Sequence, residues 1–244
     1  MFEHYFDSFK EFGVLSKAFN NERSSEILLS LNIVPIPKYC AKGFKGVDDS
    51  IFGGGAGMVM RPDALKEALI NGVVNAGNYG ENWKEKLHII YPAPRGTKWV
   101  QNEVEDFAQK YFSLKESKDL VFICGRYEGV DERFLENYVN EFISLGDFIL
   151  TGGELAVMTI LDSSLRYAPG ILGNKASLNE ESFASGMIEY PLYTRPVECE
   201  GKEVPKVYQT GHHKNIKLFN EDQSKKMTLQ YRPDLLKKSS NEKE

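Results

Sequence analysis

Residues 142–154 read Phe142-Ile-Ser-Leu-Gly-Asp-Phe-Ile-Leu-Thr-Gly-Gly-Glu154. The apolar residues up to Leu150 predict a buried strand, and Gly152 and Gly153 predict a loop that opens a helix, whose apolar positions are Leu155, Met158, Leu161 and Leu165. Glycine permits a positive φ and lets a ligand approach the main chain closely. Because ligands of parallel α/β sheets lie beyond the carboxyl ends of the strands, we expect a binding site at this junction.

Two upstream segments have the same form, an apolar strand followed by a glycine turn. They are Leu87-His-Ile-Ile-Tyr-Pro-Ala-Pro-Arg-Gly96 and Leu120-Val-Phe-Ile-Cys-Gly-Arg-Tyr-Glu-Gly129. One such junction is an ordinary turn, but three in one region predict a composite pocket. Helical spacing occurs in residues 62–71, in residues 130–138, and behind an N-cap at Thr97. Strands that alternate with helices favour an α/β fold with a parallel sheet covered by helices.

The charge of the chain is unevenly distributed. Its 244 residues carry 30 basic and 35 acidic side chains. Residues 1–200 hold 20 Lys/Arg and 29 Asp/Glu, whereas residues 201–244 hold 10 and 6. A basic tail on an acidic body is compatible with a polyanionic partner, and equally with a solvated helical surface.

Other features exclude several classes of protein. The three cysteines, Cys40, Cys124 and Cys199, lack the spacing of a disulfide framework or a zinc site, and they fit a reducing cytoplasm. No residue pattern argues for a metal ion. Acidic residues interrupt the N-terminus, so we expect no signal peptide, and no apolar run approaches the length of a membrane span.

The most unusual local composition is the glycine loop Gly53-Gly-Gly-Ala-Gly-Met58. Its glycines exclude a helix or a regular strand. Because no Gly-Lys-Ser/Thr follows and the G-x-G-x-x-G spacing fails, it is not a nucleotide phosphate loop. Further predictions are a helix that becomes irregular over residues 8–31, an edge strand or extended loop over residues 33–39, and helices at about 215–230 and 233–238.

Several motifs together resemble the bacterial tRNA (guanine-N1)-methyltransferases, a family of SPOUT, or trefoil-knot, methyltransferases. The resemblance extends from about residue 46 to Leu236. The blocks Cys124-Gly-Arg-Tyr-Glu-Gly-Val-Asp-Glu-Arg133 and Thr151-Gly-Gly-Glu-Leu155 are the most specific. The supporting motifs are Asp48-Asp49, the glycine loop, Ser144-Leu-Gly-Asp147, Pro169-Gly-Ile-Leu-Gly173, Glu181-Ser-Phe183, Tyr193-Thr-Arg-Pro196 and Arg232-Pro-Asp-Leu-Leu236.

The resemblance implies an architecture and a partner. A knotted methyltransferase domain would span residues 1–172 and end in a deep trefoil knot, an exception to the rule that chains do not thread. A linker would follow over residues 173–186, and a small basic helical tRNA-binding domain over residues 187–244. The family's members are cytoplasmic homodimers with the active site at the subunit interface, so a homodimer is expected here.

The resemblance also implies S-adenosylmethionine as the methyl donor, and the composition of the junctions agrees, because a flat base without phosphate needs apolar walls and main-chain groups. Magnesium is compatible with this reading but is not argued from the sequence. The implied cofactor residues are Tyr91, Pro94, Gly96, Gly125, Tyr127, Ser144, Leu145, Gly146, Asp147, Phe148, Ile149, Leu150, Gly152 and Gly153.

The implied reaction is methylation of N1 of the guanine immediately 3′ of the anticodon. Arg166 matches the arginine that stabilises charge on guanine O6, and Glu181 stands where the family has an aspartate as general base. Glu180 precedes it and is the alternative base. The implied tRNA contacts are Asp48, Arg126, Glu128, His212 and Lys214, with Arg126 either touching RNA or fixing its own loop.

This chain departs from the family pattern at Ala56, at Ile51-Phe52 and near Phe6-Asp7, in addition to Glu181. Two other interpretations stay open from the sequence. One is a related SPOUT enzyme that methylates a ribose 2′-hydroxyl, which needs no carboxylate base in the linker. The other is a non-catalytic RNA-binding protein that uses the pocket for another ligand or for none.

Overall fold

A computed structural model of the chain describes residues 3–11, 13–19, 29–113, 118–172 and 181–236. Its internal contacts divide the chain into two compact units, Met1–Gly173 and Asn174–Glu244. Parts of the predicted N-terminal helix and of the predicted linker, including Glu180, lie outside the described residues. Within the described part of the N-terminus, a 3-10 turn at Glu3–Phe6 leads into the helices α1 (Asp7–Glu11) and α2 (Gly13–Phe19).

A three-stranded parallel sheet forms the centre of the first unit. Its strands are β3 (Leu87–Lys98), β4 (Asp119–Phe122) and β5 (Glu141–Ser144), and β3 lies between the other two. Ile90 pairs with both Phe122 and Glu141. The three junctions predicted from the sequence are therefore the carboxyl ends of three neighbouring strands, which confirms the predicted parallel sheet.

Helices cover both faces of this sheet. The helices of the first unit after α2 are α3 (Pro62–Leu69), which continues into a π-turn at Ile70–Asn75, α4 (Trp83–Lys86), α5 (Gln101–Tyr111), α6 (Glu132–Tyr138) and α7 (Gly153–Leu165). Their apolar positions match the helical spacing of the sequence. The helices predicted at residues 62–71 and 130–138 and the helix after Gly153 are thus confirmed.

Successive residues of β3 enter two different cores, because side chains alternate between the faces of a strand. Ile90 packs with Phe107 of α5 and Ile160 of α7 in one core. Ile89 packs with Leu65 of α3 and Phe134 of α6 in the other. Burial on both faces explains why the strands read as continuous apolar runs rather than as alternating ones.

Three local predictions are wrong. Thr97 is not an N-cap, because it still belongs to β3, and α5 begins at Gln101 behind Val100. The edge strand predicted over residues 33–39 is absent: residues 33–35 are a loop, which was the other alternative, and a 3-10 helix occupies Ile36–Tyr39. The apolar run that ends at Leu150 is not a single buried strand, because β5 stops at Ser144 and the side chains of residues 148–150 are exposed.

The glycine loop is the turn of a small antiparallel hairpin. Its strands are β1 (Asp48–Ser50) and β2 (Met58–Met60), and Asp49 pairs with Val59. The N–H of Met60 donates to the carbonyl of Gly129 over 2.9 Å. This bond attaches the hairpin to the turn that follows β4, so the glycine loop lies beside one of the three junctions.

The second unit contains the short hairpin of β6 (Glu198–Cys199) and β7 (Lys202–Glu203), a 3-10 turn at Lys206–Gln209 and the long helix α8 (His213–Tyr231). Residues 233–236 are helical, and the rest of the predicted 233–238 helix lies outside the described residues. Among the helices that the structure describes, none is long and apolar enough to cross a membrane.

Candidate functional site

The carboxyl ends of β3, β4 and β5 converge on one edge of the sheet. The N–H of Ile123 donates to the carbonyl of Ile90 over 2.9 Å, and the N–H of Trp99 donates to the carbonyl of Ser144 over 2.8 Å. Between these two bonds β3 leaves β5 at Pro92 and returns at Thr97, both of which pair with Ile143. The three glycine junctions therefore surround a single location.

Glycine is required where these segments touch. The N–H of Gly153 donates to the carbonyl of Gly125 over 2.9 Å. A Cβ on Gly153 would lie 2.8 Å from the Cα of Cys124, and one on Gly125 would lie 2.7 Å from the hydroxyl of Tyr91. A Cβ on Gly96 would meet the main chain of Ile143. Each glycine is thus explained by close packing between two junctions.

The loop between β5 and α7 presents apolar side chains and main chain to solvent. Phe148 is 56% exposed, Ile149 83% and Leu150 37%. Among the described residues, the main-chain groups of residues 145–150 make no hydrogen bond to the protein. Large apolar side chains and open main-chain donors and acceptors are the features that bind a flat, uncharged heterocycle.

Arg126, which follows Gly125, joins two of the junctions. Its Nε donates to Oε1 of Glu154 over 3.2 Å, its Nη2 lies 3.0 Å from Oε2, and its Nη1 donates to the carbonyl of Thr151 over 3.2 Å. The side chains of Arg126 and Glu154 are 14% and 4% exposed. These contacts support the loop-fixing role that the sequence left open for Arg126.

The turn after Arg126 brings the predicted tRNA-contacting acids together. Tyr127 has a φ of 59°, a conformation that is uncommon for a residue other than glycine. Burial raises the pKa of the Tyr127 phenol, and a hydrogen bond with Asp48 raises it further. The N–H of Glu128 donates to the carbonyl of Met58 over 3.0 Å. Asp48 and Glu128 therefore flank the glycine loop in the folded chain.

The remaining predicted residues occupy other positions. Arg166 is half-buried at the C-terminal end of α7, where its N–H donates to the carbonyl of Ser164. Asp147 is 94% exposed and lies 3.6 Å from Lys98. In the second unit, the carbonyl of Glu181 accepts the N–H of Ala184 over 3.3 Å. His212 is the N-cap of α8, and Lys214 is exposed in its first turn.

The site contains no reactive thiol at neutral pH. Burial, together with the nearby carboxylate of Glu154, raises the pKa of Cys124 to about 12. In the part of the chain that the structure describes, no three His, Cys, Asp or Glu side chains are grouped so as to hold a metal ion.

The sequence of the chain matches a family of known proteins. The model of the family described as "tRNA (Guanine-1)-methyltransferase TrmD" matches residues 1–238. A tRNA (guanine-N(1)-)-methyltransferase of Ruegeria sp. (strain TM1040) is 42% identical over 223 residues, which cover 91% of this chain and 86% of that protein. A protein of the same name from Brevibacillus brevis is 41% identical over 226 residues, covering 93% and 86%.

The chain belongs to the tRNA (guanine-1)-methyltransferase family. The resemblance inferred from the sequence motifs is thereby confirmed, and with it the class of enzyme, a methyltransferase. A third relative, from Lachnospira eligens, bears the same name and is 43% identical over 200 residues, covering 80% of this chain and 79% of the relative.

In this tRNA (guanine-1)-methyltransferase family member, sequence reasoning assigned no role to Glu154. The residue stood inside the quoted Thr151-Gly-Gly-Glu-Leu155 block, but its partner Arg126 is 28 residues away. A glutamate in the first turn of a helix usually interacts with the helix dipole at the surface. The only available signal was its place directly behind two glycines, and that does not reveal burial.

Proposed function

We propose that this chain transfers a methyl group from S-adenosylmethionine to N1 of the guanine immediately 3′ of the anticodon in tRNA. The observation that carries the proposal is the family match over residues 1–238, with relatives whose names state a guanine-N1 methyltransferase of tRNA. The convergence of three strand ends on one location supports a single binding site for the methyl donor.

The residues present fit this methyl donor. It supplies an electrophilic methyl carbon on a sulfonium sulfur, and its adenine needs apolar walls and main-chain hydrogen bonds. The loop of residues 145–150 offers both, together with the exposed Phe148 and Ile149. Our proposed cofactor site comprises this loop and the residues Tyr91, Pro94, Gly96, Gly125, Tyr127, Ser144, Gly152 and Gly153.

We assign the proton transfer to Glu181 and the charge stabilisation to Arg166. Guanine N1 bears a proton that must leave before its electron pair attacks the methyl carbon. Negative charge then develops toward O6, where a guanidinium stabilises it more in the transition state than in the ground state. Arg166 thus makes the guanine more acidic, and Glu181 accepts the proton as general base.

The tRNA contacts divide into two groups. Glu128 and Asp48, which lie beside the glycine loop, would accept hydrogen bonds from the donor edge of guanine. His212 and Lys214 at the start of α8 would contact the phosphate backbone without reading sequence. Arg126 would be a further RNA contact next to Glu128, in addition to holding its loop through its bonds to Glu154 and Thr151. The target base must leave its stack, which costs least in a single-stranded loop.

The proposal includes the domain division and the knot that the resemblance implies. A knotted domain of residues 1–172, a linker of residues 173–186 and a tRNA-binding domain of residues 187–244 are compatible with compact units divided after Gly173. The cellular location we propose is the cytoplasm.

We also propose a homodimer with the active site at the subunit interface. Phe52 is 95% exposed, Ile149 83% and Leu155 46%. Large apolar side chains exposed around a functional site are typical of a surface that a partner covers. Mixing a Glu128→Gln protein with a Glu181→Gln protein tests the arrangement. If one site takes these residues from different subunits, about a quarter of the wild-type sites return; if not, none do.

The deciding experiment incubates the protein with labelled S-adenosylmethionine and a tRNA transcript that carries G after the anticodon, and then locates the methyl group. A methyl on N1 of that guanine is expected. A methyl on a ribose hydroxyl would favour the related SPOUT activity. Calorimetry with the donor and with S-adenosylhomocysteine completes the test, because binding of neither would leave only the non-catalytic RNA-binding interpretation.

The identity of the base needs its own measurement. Single-turnover methylation should fall strongly in Glu181→Gln and stay near the wild-type rate in Glu180→Gln. Glu181 extends about 1.5 Å further than the aspartate of the family, which is one carbon–carbon bond. Loss of activity in Glu180→Gln alone would transfer the role to Glu180, which lies outside the described residues.

A further inference from the structure

We propose that Arg126 and Glu154 are a positioning pair that locks the turn after β4 to the loop before α7. The pair thereby holds two walls of the methyl-donor site in one geometry. The effect of this pair on methyl-donor binding rests on the proposed function. The connection that it makes between the two segments is present in the protein without ligand. It gives Glu154 a role that the sequence did not.

The contacts are those of a specific lock rather than of a surface ion pair. Arg126 donates one hydrogen bond from Nε to Oε1 of Glu154 and another from Nη1 to the carbonyl of Thr151. Its Nη2 lies 3.0 Å from Oε2 of Glu154 as an ion pair, without hydrogen-bond geometry. A planar guanidinium fixes direction as well as distance, which a lysine ammonium cannot do. The Glu154 side chain is only 4% exposed. Removal of the Arg126 guanidinium would therefore leave the Glu154 carboxylate buried without a counter-charge, because water does not reach it.

The lock also explains a glycine. A Cβ on Gly152 would collide with Nε and Cζ of Arg126 and would lie 2.6 Å from Oε2 of Glu154. Gly152 has an extended backbone that any residue adopts, with a φ of −178°. The absence of a side chain at this position is therefore required by the ion pair, which occupies the space.

Two pocket features depend on the same pair. On one side, Arg126 starts the turn that continues through Tyr127 to Glu128, so a fixed guanidinium fixes the direction of that turn. On the other side, Glu154 stands in the first turn of α7, and Gly153 before it donates its N–H to Gly125. The Arg126–Glu154 pair and the Gly153–Gly125 bond are parallel connections between the same two segments.

The test begins with the protein in the absence of any ligand. Glu154→Gln keeps the shape of the side chain and removes its charge, and Arg126→Lys keeps the charge and removes the planar fork. Hydrogen exchange of the Gly153 amide reports the contact between the two segments. Loss of one charged hydrogen bond predicts exchange that is about tenfold faster or more in both variants.

The second measurement concerns the site. Calorimetry with S-adenosylhomocysteine should show a dissociation constant raised about tenfold, because the two walls of the site would no longer be held together and binding would have to order them. Combining Arg126→Gln with Glu154→Gln should be no worse than either change alone, since both remove the same interaction. The matched control is Arg133→Gln, which breaks the 2.8 Å pair of Arg133 with Asp131, where the Arg133 side chain is 68% exposed.

Wild-type exchange at Gly153 in a folded Glu154→Gln protein would overturn the proposal. If that variant does not fold, Arg126→Lys decides by the same measurement, and unchanged exchange there overturns it too. Fast exchange in Arg133→Gln would show a general loosening and would also count against it. A failure of the proposed function would be distinguished by a different result. The wild-type protein would then bind neither S-adenosylmethionine nor S-adenosylhomocysteine, whatever the exchange rate of the Gly153 amide.

Discussion

The main-chain N–H of Gly153 donates to the carbonyl oxygen of Gly125 over 2.9 Å and so joins the start of α7 to the end of β4. The approach is close because neither residue has a side chain. A Cβ on Gly153 would meet main-chain atoms, 2.8 Å from the Cα of Cys124 and 2.9 Å from the nitrogen of Gly125. A Cβ on Gly125 would meet the side chain of Tyr91 instead.

We therefore expect Gly153→Ala to be the more damaging change. Main chain cannot yield to an added methyl group, and overpacking costs about 1 to 3 kcal/mol of unfolding free energy. Gly125→Ala should cost less, because the Tyr91 ring can shift. Thermal unfolding and calorimetry with S-adenosylhomocysteine check both variants. Equal losses in the two would show that the close approach of the main chains is not what requires glycine.

The glycine loop predicts a second result. Gly57 has a φ of 99°, and a Cβ there would lie 2.5 Å from Cγ of Glu128. Gly57→Ala should displace the Glu128 side chain and lower the single-turnover rate with tRNA, while leaving the affinity for S-adenosylhomocysteine unchanged.

Gly54→Ala is the matched control for this change. Gly54 has a φ of 82°, so it carries the same backbone strain, but nothing lies within 4 Å of its Cβ position. The two variants should share a small loss of stability and differ in methylation rate. A Gly54→Ala protein as slow as Gly57→Ala would assign the effect to loop strain instead of to Glu128.

The cysteines should differ in reactivity because only a thiolate is alkylated readily. Burial, with Glu154 nearby, raises the pKa of Cys124 to about 12, so its thiol stays protonated at pH 8 and pH 9. Cys199 is exposed. Iodoacetamide at pH 8 should label Cys199 rapidly and Cys124 slowly, as measured by mass spectrometry of peptides. Equal rates in the native protein, rather than only in denaturant, would contradict the burial.

Asp131 caps α6 and should stabilise the protein in a pH-dependent way. Its carboxylate accepts the N–H of Arg133 over 3.0 Å, and the Arg133 guanidinium holds the pKa of Asp131 below 3.8. Asp131→Ala should cost about 1 kcal/mol near pH 7. Because the folded state favours the carboxylate, this contribution exists above the ordinary pKa and disappears as the pH falls through the lowered one.

Denaturant unfolding of wild type and Asp131→Ala at pH 7, 5 and 3.5 measures this loss. Asp106→Ala is the control, since Asp106 is exposed within α5 and alanine favours a helix interior. If the difference in unfolding free energy between wild type and Asp131→Ala grew toward acid pH, the capping explanation would be ruled out.

In the second unit, Thr228 should hold the segment that follows Glu181. Thr228 is fully buried, its Oγ1 accepts the N–H of Ile188 over 3.1 Å, and the Oγ of Ser224 donates to the carbonyl of Ile188 over 2.6 Å. Thr228→Val keeps the shape but leaves the Ile188 N–H without its acceptor, a loss of about 1 to 3 kcal/mol. Hydrogen exchange at Ile188 should accelerate, whereas Thr210→Val, at an exposed position, should leave it unchanged.

The parallel α/β arrangement and the family follow from the amino-acid sequence alone. Apolar runs at 87, 120 and 142 that end in glycine can form buried strands with tight junctions, and the Cys124–Arg133 block is specific enough to identify relatives. These properties are local, because they depend on periodicity and on what glycine permits. The same local reasoning failed at Thr97, where a suitable capping residue was kept in β3 by its pairing with Ile143.

The connections between the junctions depend on long-range packing in the folded chain. Arg126 and Glu154 are 28 residues apart, and their bond depends on β4 and α7 being brought together by the sheet. The need for glycine at 152 and 153 has the same origin, since all but one of the obstructing atoms belong to residues 124–126 and the other is Oε2 of Glu154. A chemical pattern along the chain specifies which groups are present, whereas long-range packing determines which of them meet.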